Sequence, residues 1–256
     1  MLSALLPIKD VNPHRRFPIV TLVLIGINIF AFITTASGLS LGGEESYRYG
    51  AVPCDVLGRA CVFPPDISPQ AAAAVMASRP ALLSVLTSMF MHGDIFHIAF
   101  NMLFLWVFGN NVEDRLGRVR FPIFYFATGV VAAYAHILFS ADSGVPIVGA
   151  SGAISGILGG YIILWPSATI VSLVTLGFFW FTVRQPAWIT LGLWFVVQLL
   201  GGVVGLGRSG PSGGVAFLAH VGGFVAGLVL IIPFGGRRRQ HDGFFDDDRH
   251  RFADDG

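Results

Sequence analysis

Charge is sparse in this sequence. Asp, Glu, Lys and Arg make up 12% of the 256 residues, 54% are hydrophobic, and the mean hydropathy is +0.71. Such a balance excludes an ordinary soluble domain and makes the chain a membrane protein, with the lipid bilayer as a partner. The formal net charge is only +1, and the basic residues sit at the ends of apolar stretches instead of forming a stripe, so nucleic acid is excluded as a partner. There is no His-Glu-x-x-His pair. Apart from Asp94, no carboxylate falls within the long apolar stretches, so neither a metal site nor the ion relay of a transporter has the ligands it needs. The only cysteines are Cys54 and Cys61, both in one long polar loop. Six intervening residues permit a bridge in an oxidising compartment, and two free thiols are the other reading.

What the sequence has in abundance is apolar runs of spanning length. Six are read as transmembrane helices: Phe17 to about Thr35, a short span from Ile95 to Phe108, Phe121–Ser140, Gly149–Trp165, Ala187–Leu206 and Val215–Phe234. Ala81–Met91 reads as a lateral interfacial helix. After the His92-Gly93 break, Asp94 is placed to cap the helix that follows. Gly38–Pro80 is a long first loop, and Asn110–Arg120 a polar turn. Ser167–Val183 is apolar and about 17 residues long, enough to propose a seventh span. A seventh would put Arg184 or Arg237–Arg239 on the wrong side, so the stretch reads as interfacial. Lys9, Arg15 and Arg16 before the first span, Arg115, Arg118 and Arg120 after the second, and Arg237–Arg239 after the sixth place both termini in the cytoplasm. The division is a cytoplasmic N-terminal segment, residues 1–16, a membrane domain, residues 17–235, and a basic then acidic disordered tail, residues 236–256.

Within these spans polar side chains are costly, which makes His97, Asn101, His136, Ser151, Ser155, Gln198 and His220 candidates for function. Ser151 falls where the polar turn Asp142–Pro146 gives way to an apolar helix, in its first turn. The N–H groups there, near Ser151 and Gly152, have no intrahelical partner and could receive a developing oxyanion. Gly152, Gly156 and Gly160 repeat every four residues and leave a stripe along which another backbone can approach. By itself this stretch also fits a packing helix whose serine is incidental. His220 shares a face with Gly223 and Gly227 on the last span. If the two bare faces meet, His220 comes within reach of Ser151 and can act as its general base. His97 and Asn101, at i and i+4, project from one face near the outer end of their helix and could complete an oxyanion hole. His92 lies just outside that helix.

Three blocks, Ser88-Met89-Phe90-Met91-His92-Gly93-Asp94-Ile95-Phe96-His97-Ile98-Ala99-Phe100-Asn101, Gly149-Ala150-Ser151-Gly152 and Ala219-His220-Val221-Gly222-Gly223, together resemble the signature blocks of the rhomboid intramembrane serine proteases. Asn111-Val112-Glu113-Asp114-Arg115-Leu116-Gly117 resembles that family's turn after the second span. The resemblance covers about residues 17–235. It implies an all-α, polytopic six-helix bundle with a long first external loop, in a bacterial cell membrane. It also implies a cofactor-free serine endopeptidase that cuts transmembrane protein substrates near the outer face. Ser151 would be its nucleophile, His220 its base, His97 and Asn101 its oxyanion donors, with His92 in support. Two positions depart from the family pattern. Leu83-Ser84 stands where many members carry a Trp-Arg pair in the first loop. Ser155 stands where some carry an aromatic residue that packs on the base. A non-proteolytic member that binds or escorts transmembrane helices is the alternative, and such members lack the Ser or the His that this chain keeps.

Overall fold

Each of the six apolar stretches contains a helix. In a computed structural model of the chain, the structure describes residues 6–12, 16–35, 43–176, 178–206 and 217–235. The first helix, α1, is Ile19–Thr35. Three short helices follow in the first loop: α2 (Glu44–Tyr49), α3 (Pro53–Val56) and α4 (Pro69–Ala77). The segment read as a lateral helix is α5 (Ala81–Thr87) with a 3-10 turn at Ser88–Phe90. Then come α6 (Ile95–Phe139), α7 (Ser151–Leu164), α8 (Ala187–Leu206) and α9 (Phe217–Gly235). At the centre α6, α7 and α9 pack on one another, with α1 leaning on α6 and α8 on α9. Phe108, Phe124, Tyr125, Ile157, Leu158 and Tyr161 are wholly buried in the core they share.

This is an all-α bundle of a multi-pass membrane protein, but six full crossings are more than helix length establishes. Among the described residues, only α6 and α9 are long and apolar enough to cross by themselves, or three elements if the pair Pro69–Ala77 and Ala81–Phe90, bent by 90°, counts as one. With 14 residues, α7 rises only about 21 Å, short of a hydrocarbon core about 30 Å thick. Within α6, Gly117 has φ 80° and ψ 168°, conformational freedom that glycine has and other residues lack. The break divides α6 into two limbs, which correspond to the second and third stretches.

The turn expected over Asn110–Arg120 is instead mostly helix, because its polar groups find partners inside the protein. Glu113, 3% exposed, accepts from the backbone N–H groups of Val20 at 3.0 Å and Thr21 at 2.7 Å and from the Thr21 hydroxyl at 2.8 Å. A carboxylate against the first N–H groups of α1 caps that helix and complements its dipole. It ties α1 to α6. Asn111 donates to Asp10 at 2.6 Å, and the Tyr161 hydroxyl donates to the same carboxylate oxygen at 2.6 Å.

A small three-stranded antiparallel sheet accompanies the bundle, which the all-α expectation did not include. Its strands are β1 (Leu6–Asp10), β2 (Thr169–Leu176) and β3 (Phe179–Pro186), in the order β1-β2-β3. Leu6–Asp10, which the sequence set apart in the N-terminal segment, thus pairs with the strand that follows α7. The stretch Ser167–Val183 is largely the β2–β3 hairpin. Ile170, Ser172 and Val174 are buried at alternate positions, the period of a strand, in a run rich in β-branched residues. An open sheet leaves unpaired edge groups, which hydrocarbon does not tolerate, so this hairpin is not a seventh span. Residues 13–15, with Arg15, and the tail, residues 236–256, with Arg237–Arg239, lie outside the described residues.

The first loop has its own small core of Tyr47, Val52, Cys54, Ala72 and Met76. Cys54 and Cys61 are joined in a disulfide, with Cα atoms 5.2 Å apart. Arg79 donates from Nε to the Tyr47 carbonyl at 3.0 Å and from Nη2 to the Gly50 carbonyl at 3.2 Å, and forms an ion pair with Asp55 at 3.2 Å. Burial lowers its pKa, and Asp55 opposes the shift. These two features brace the loop that lacks the Trp-Arg pair.

Candidate active site

The chain enters α7 through a turn held on both sides. Ala51 and Ile147 exchange backbone hydrogen bonds of 3.1 and 2.8 Å, and Val62 bonds Asp142 and Gly144, each at 2.8 Å. The disulfide loop is therefore pinned to the segment that leads to Ser151. The Gly149 N–H donates to the Ser88 carbonyl at 2.9 Å, and Gly149 has φ +125°. A side chain there would be strained, and its Cβ would lie 2.8 Å from His97 Nε2.

Ser151 is the first residue of α7, as its sequence position implied. Its hydroxyl lies 2.8 Å from His220 Nε2 on α9. The two meet because the glycine faces do. A Cβ on Gly223 would lie 2.1 Å from the Gly152 carbonyl oxygen, one on Gly227 2.0 Å from that of Gly156, and one on Gly159 2.1 Å from that of Phe224. No side chain fits between these backbones.

His97 sits with its ring against Gly149, beside Ser151, and its Nδ1 accepts from the Gly93 N–H at 3.4 Å. Asp94 caps the helix below it, accepting from the N–H groups of Phe96 at 2.8 Å and His97 at 2.9 Å. Asn101 is buried, and its amide donates to the His97 carbonyl one turn back at 2.9 Å. Its polar end is engaged within its own helix. His92, in the turn ahead of α6, packs edge-on to His97 with ring centroids 5.1 Å apart. Burial, with a smaller effect of His97, pushes its pKa down to about 3, so it is neutral over the physiological range. A cavity of about 20 Å³ lies beside Ser151, lined by Ser88, Gly129, Ala132, Gly149, Ser151 and Ala219 among others. That is room for roughly one water molecule.

Two site neighbours lie on α8: Gln198, a sequence candidate without an assigned role, and Trp194, which the sequence did not single out. Gln198 Oε1 lies 2.8 Å from His220 Nδ1, and the Trp194 ring is 6.0 Å from the His220 ring, tilted by 38°. They are one turn apart. Gln198, the only amide side chain in α8, was among the polar candidates of the spans but had no partner assigned. Ser155, which replaces the aromatic residue of some relatives, donates its hydroxyl to the Ser151 carbonyl at 2.6 Å. Support for the histidine ring thus comes from α8 instead of α7.

A multi-pass helical membrane protein that joins a helix-start serine to a histidine across a glycine contact is the class that this fold and site define. The chain belongs to the rhomboid family, whose domain model matches residues 79–237. It is 35% identical over 152 residues to Rhomboid protease GluP of Bacillus subtilis, a match covering 59% of this chain and 27% of that protein. It is 28% identical over 151 residues to Rhomboid protein 1, mitochondrial, of Saccharomyces cerevisiae, covering 57% and 40%. Human Presenilin-associated rhomboid-like protein, mitochondrial, is 34% identical over 84 residues, covering 32% and 22%. The matched region thus spans well under half the length of each of these relatives.

Proposed function

We propose that this chain is an intramembrane serine endopeptidase that hydrolyses peptide bonds of transmembrane proteins near the outer face of the bilayer. The observation that carries this reading is the 2.8 Å approach of His220 Nε2 to the Ser151 hydroxyl. In the proposed reaction Ser151 Oγ attacks the peptide carbonyl as His220 Nε2 takes its proton, then returns that proton to the departing amine. The acyl-enzyme is released by water activated at the same nitrogen. The backbone N–H groups at the start of α7, at Ser151 and Gly152, receive the oxyanion, and His97 adds a donor from beside Gly149. Asn101 joins by turning its amide from the His97 carbonyl, with His92 packed behind His97 in support.

In this reading the chain crosses six times, through α1, the two limbs of α6, α7, α8 and α9, with the short helices sitting in a locally thinned bilayer. The disulfide lies at the Ser151 end, which suits an oxidising exterior. Arg115, Arg118 and Arg120 flank the Gly117 break of α6, and Arg120 donates to the Phe234 carbonyl near the end of α9 at 3.4 Å. This basic end suits the cytoplasm, with both termini there. The bacterial relative favours a bacterial cell membrane.

The test is covalent. Protein purified in detergent is incubated with a serine-reactive fluorophosphonate and with a single-span substrate. Labelling and cleavage that both vanish in Ser151→Ala are expected. An unlabelled, inactive wild type would support the non-proteolytic alternative.

A further inference from the structure

We propose that Gln198 is a positioning residue, holding His220 in the tautomer that can accept the Ser151 proton. This rests on the proposed reaction at Ser151. A neutral imidazole carries one N–H, and the nitrogen without it is the acceptor. For Nε2 to accept from Ser151, Nδ1 must carry the hydrogen, and Nδ1 then needs an acceptor of its own. Gln198 Oε1 stands there at 2.8 Å. With Ser151 at 2.8 Å on the other nitrogen, both ends of the ring are engaged along one line of hydrogen bonds.

Nothing on α7 or α9 takes this part. Ser155, the residue of α7 one turn below the nucleophile, spends its hydroxyl on the Ser151 carbonyl. Trp194 lies against the ring and restricts its tilt, but its ring contact cannot choose between the nitrogens. An amide in an apolar helix is costly unless it bonds, and among the described residues the one bond found for the Gln198 side chain is to His220. The arrangement is a Ser-His-Gln line in which the third member comes from α8. Being neutral, Gln198 orients the base without supplying the countercharge that a carboxylate would.

The full chain in detergent serves for the test. Fluorophosphonate labelling rate and single-span substrate cleavage are compared among wild type, Gln198→Met, which keeps length but loses the acceptor, and Gln198→Glu, which keeps an acceptor. We expect Gln198→Met to lower kcat and the labelling rate by about 10- to 100-fold with KM unchanged, as for loss of a residue that orients a reacting group. Gln198→Glu should stay within roughly threefold of wild type. A wild-type rate in Gln198→Met, or equal losses in both variants, would overturn the proposal. Independently of any Gln198 variant's folding, nitrogen NMR of histidine-labelled wild type, with His220 assigned by its loss in His220→Ala, reads the tautomer directly. Hydrogen on Nδ1 is required, and hydrogen on Nε2 refutes the assignment. A wild type that is never labelled would instead sink the protease reading, whatever the tautomer proves to be.

Discussion

Substituting Ala for Gly223 adds one methyl group, yet the structure implies that it slows the site about 100-fold. The new Cβ would lie 2.1 Å from the Gly152 carbonyl oxygen, where ordinary contact begins at 3.4 Å. Neither partner can give way by rotating a side chain, because the obstacle is the backbone of α7. The two helices must separate by about 1.3 Å, which costs about 1–3 kcal/mol as overpacking. Gly223 is one turn from His220, and Gly152 adjoins Ser151. The same separation therefore stretches the 2.8 Å contact to roughly 4 Å, beyond a hydrogen bond. A misplacement of about 1 Å at reacting groups costs about 100-fold in rate. The loss should appear in kcat and in fluorophosphonate labelling more than in KM, since the substrate's binding surface is not removed. Gly26→Ala is the matched control: Gly26 lies in α1 with nothing within 4 Å of its added Cβ, so that variant should keep wild-type turnover. Full activity in Gly223→Ala would refute the close backbone contact, and with it the account of how the pair is assembled.

Three further outcomes follow from the same structure. Ser151→Ala and His220→Ala should each abolish cleavage, and the double variant should be no worse than either, because a nucleophile and its base act as a unit; substantial turnover in His220→Ala would dismiss it as the base. Glu113→Ala removes three hydrogen bonds to a buried carboxylate that caps α1, and should cost about 3 kcal/mol, judged from charge-assisted bonds. Thermal unfolding in detergent measures this, and an unchanged midpoint would show that α1 is held by other means. In a single-span substrate, Gly or Pro within the two turns after the cleavage point should speed cutting, because a hydrogen-bonded helix shields its carbonyls from attack. Each weakens a helix interior, by about 1 kcal/mol for Gly and about 3 for Pro relative to Ala. Faster cleavage of the substrate with Leu at those positions would contradict this.

The sequence by itself determined the features that depend on local chemistry. Its apolar runs located the helices of the bundle, because a segment in lipid must satisfy its own backbone groups. Asp94 announced the start of α6 by being a side chain that can cap it. The glycine spacing on the helices of Ser151 and His220 predicted their contact, because a stripe without side chains in an apolar helix invites another backbone. Only the tertiary structure decided the rest. Asn110–Arg120 was read as a polar turn, yet it is mostly helical, because partners for Glu113 and Asn111 come from Thr21 and Asp10, some 90 to 100 residues away. Ser167–Val183 was measured against a membrane's thickness and is largely a hairpin, completed by Leu6–Asp10 from the far end of the chain. Gln198 was one of several polar candidates in the spans, without a partner until folding placed it on the second nitrogen of His220. A residue's pattern along the chain shows what it can bond, but which groups lie within hydrogen-bond reach is set by how the helices pack.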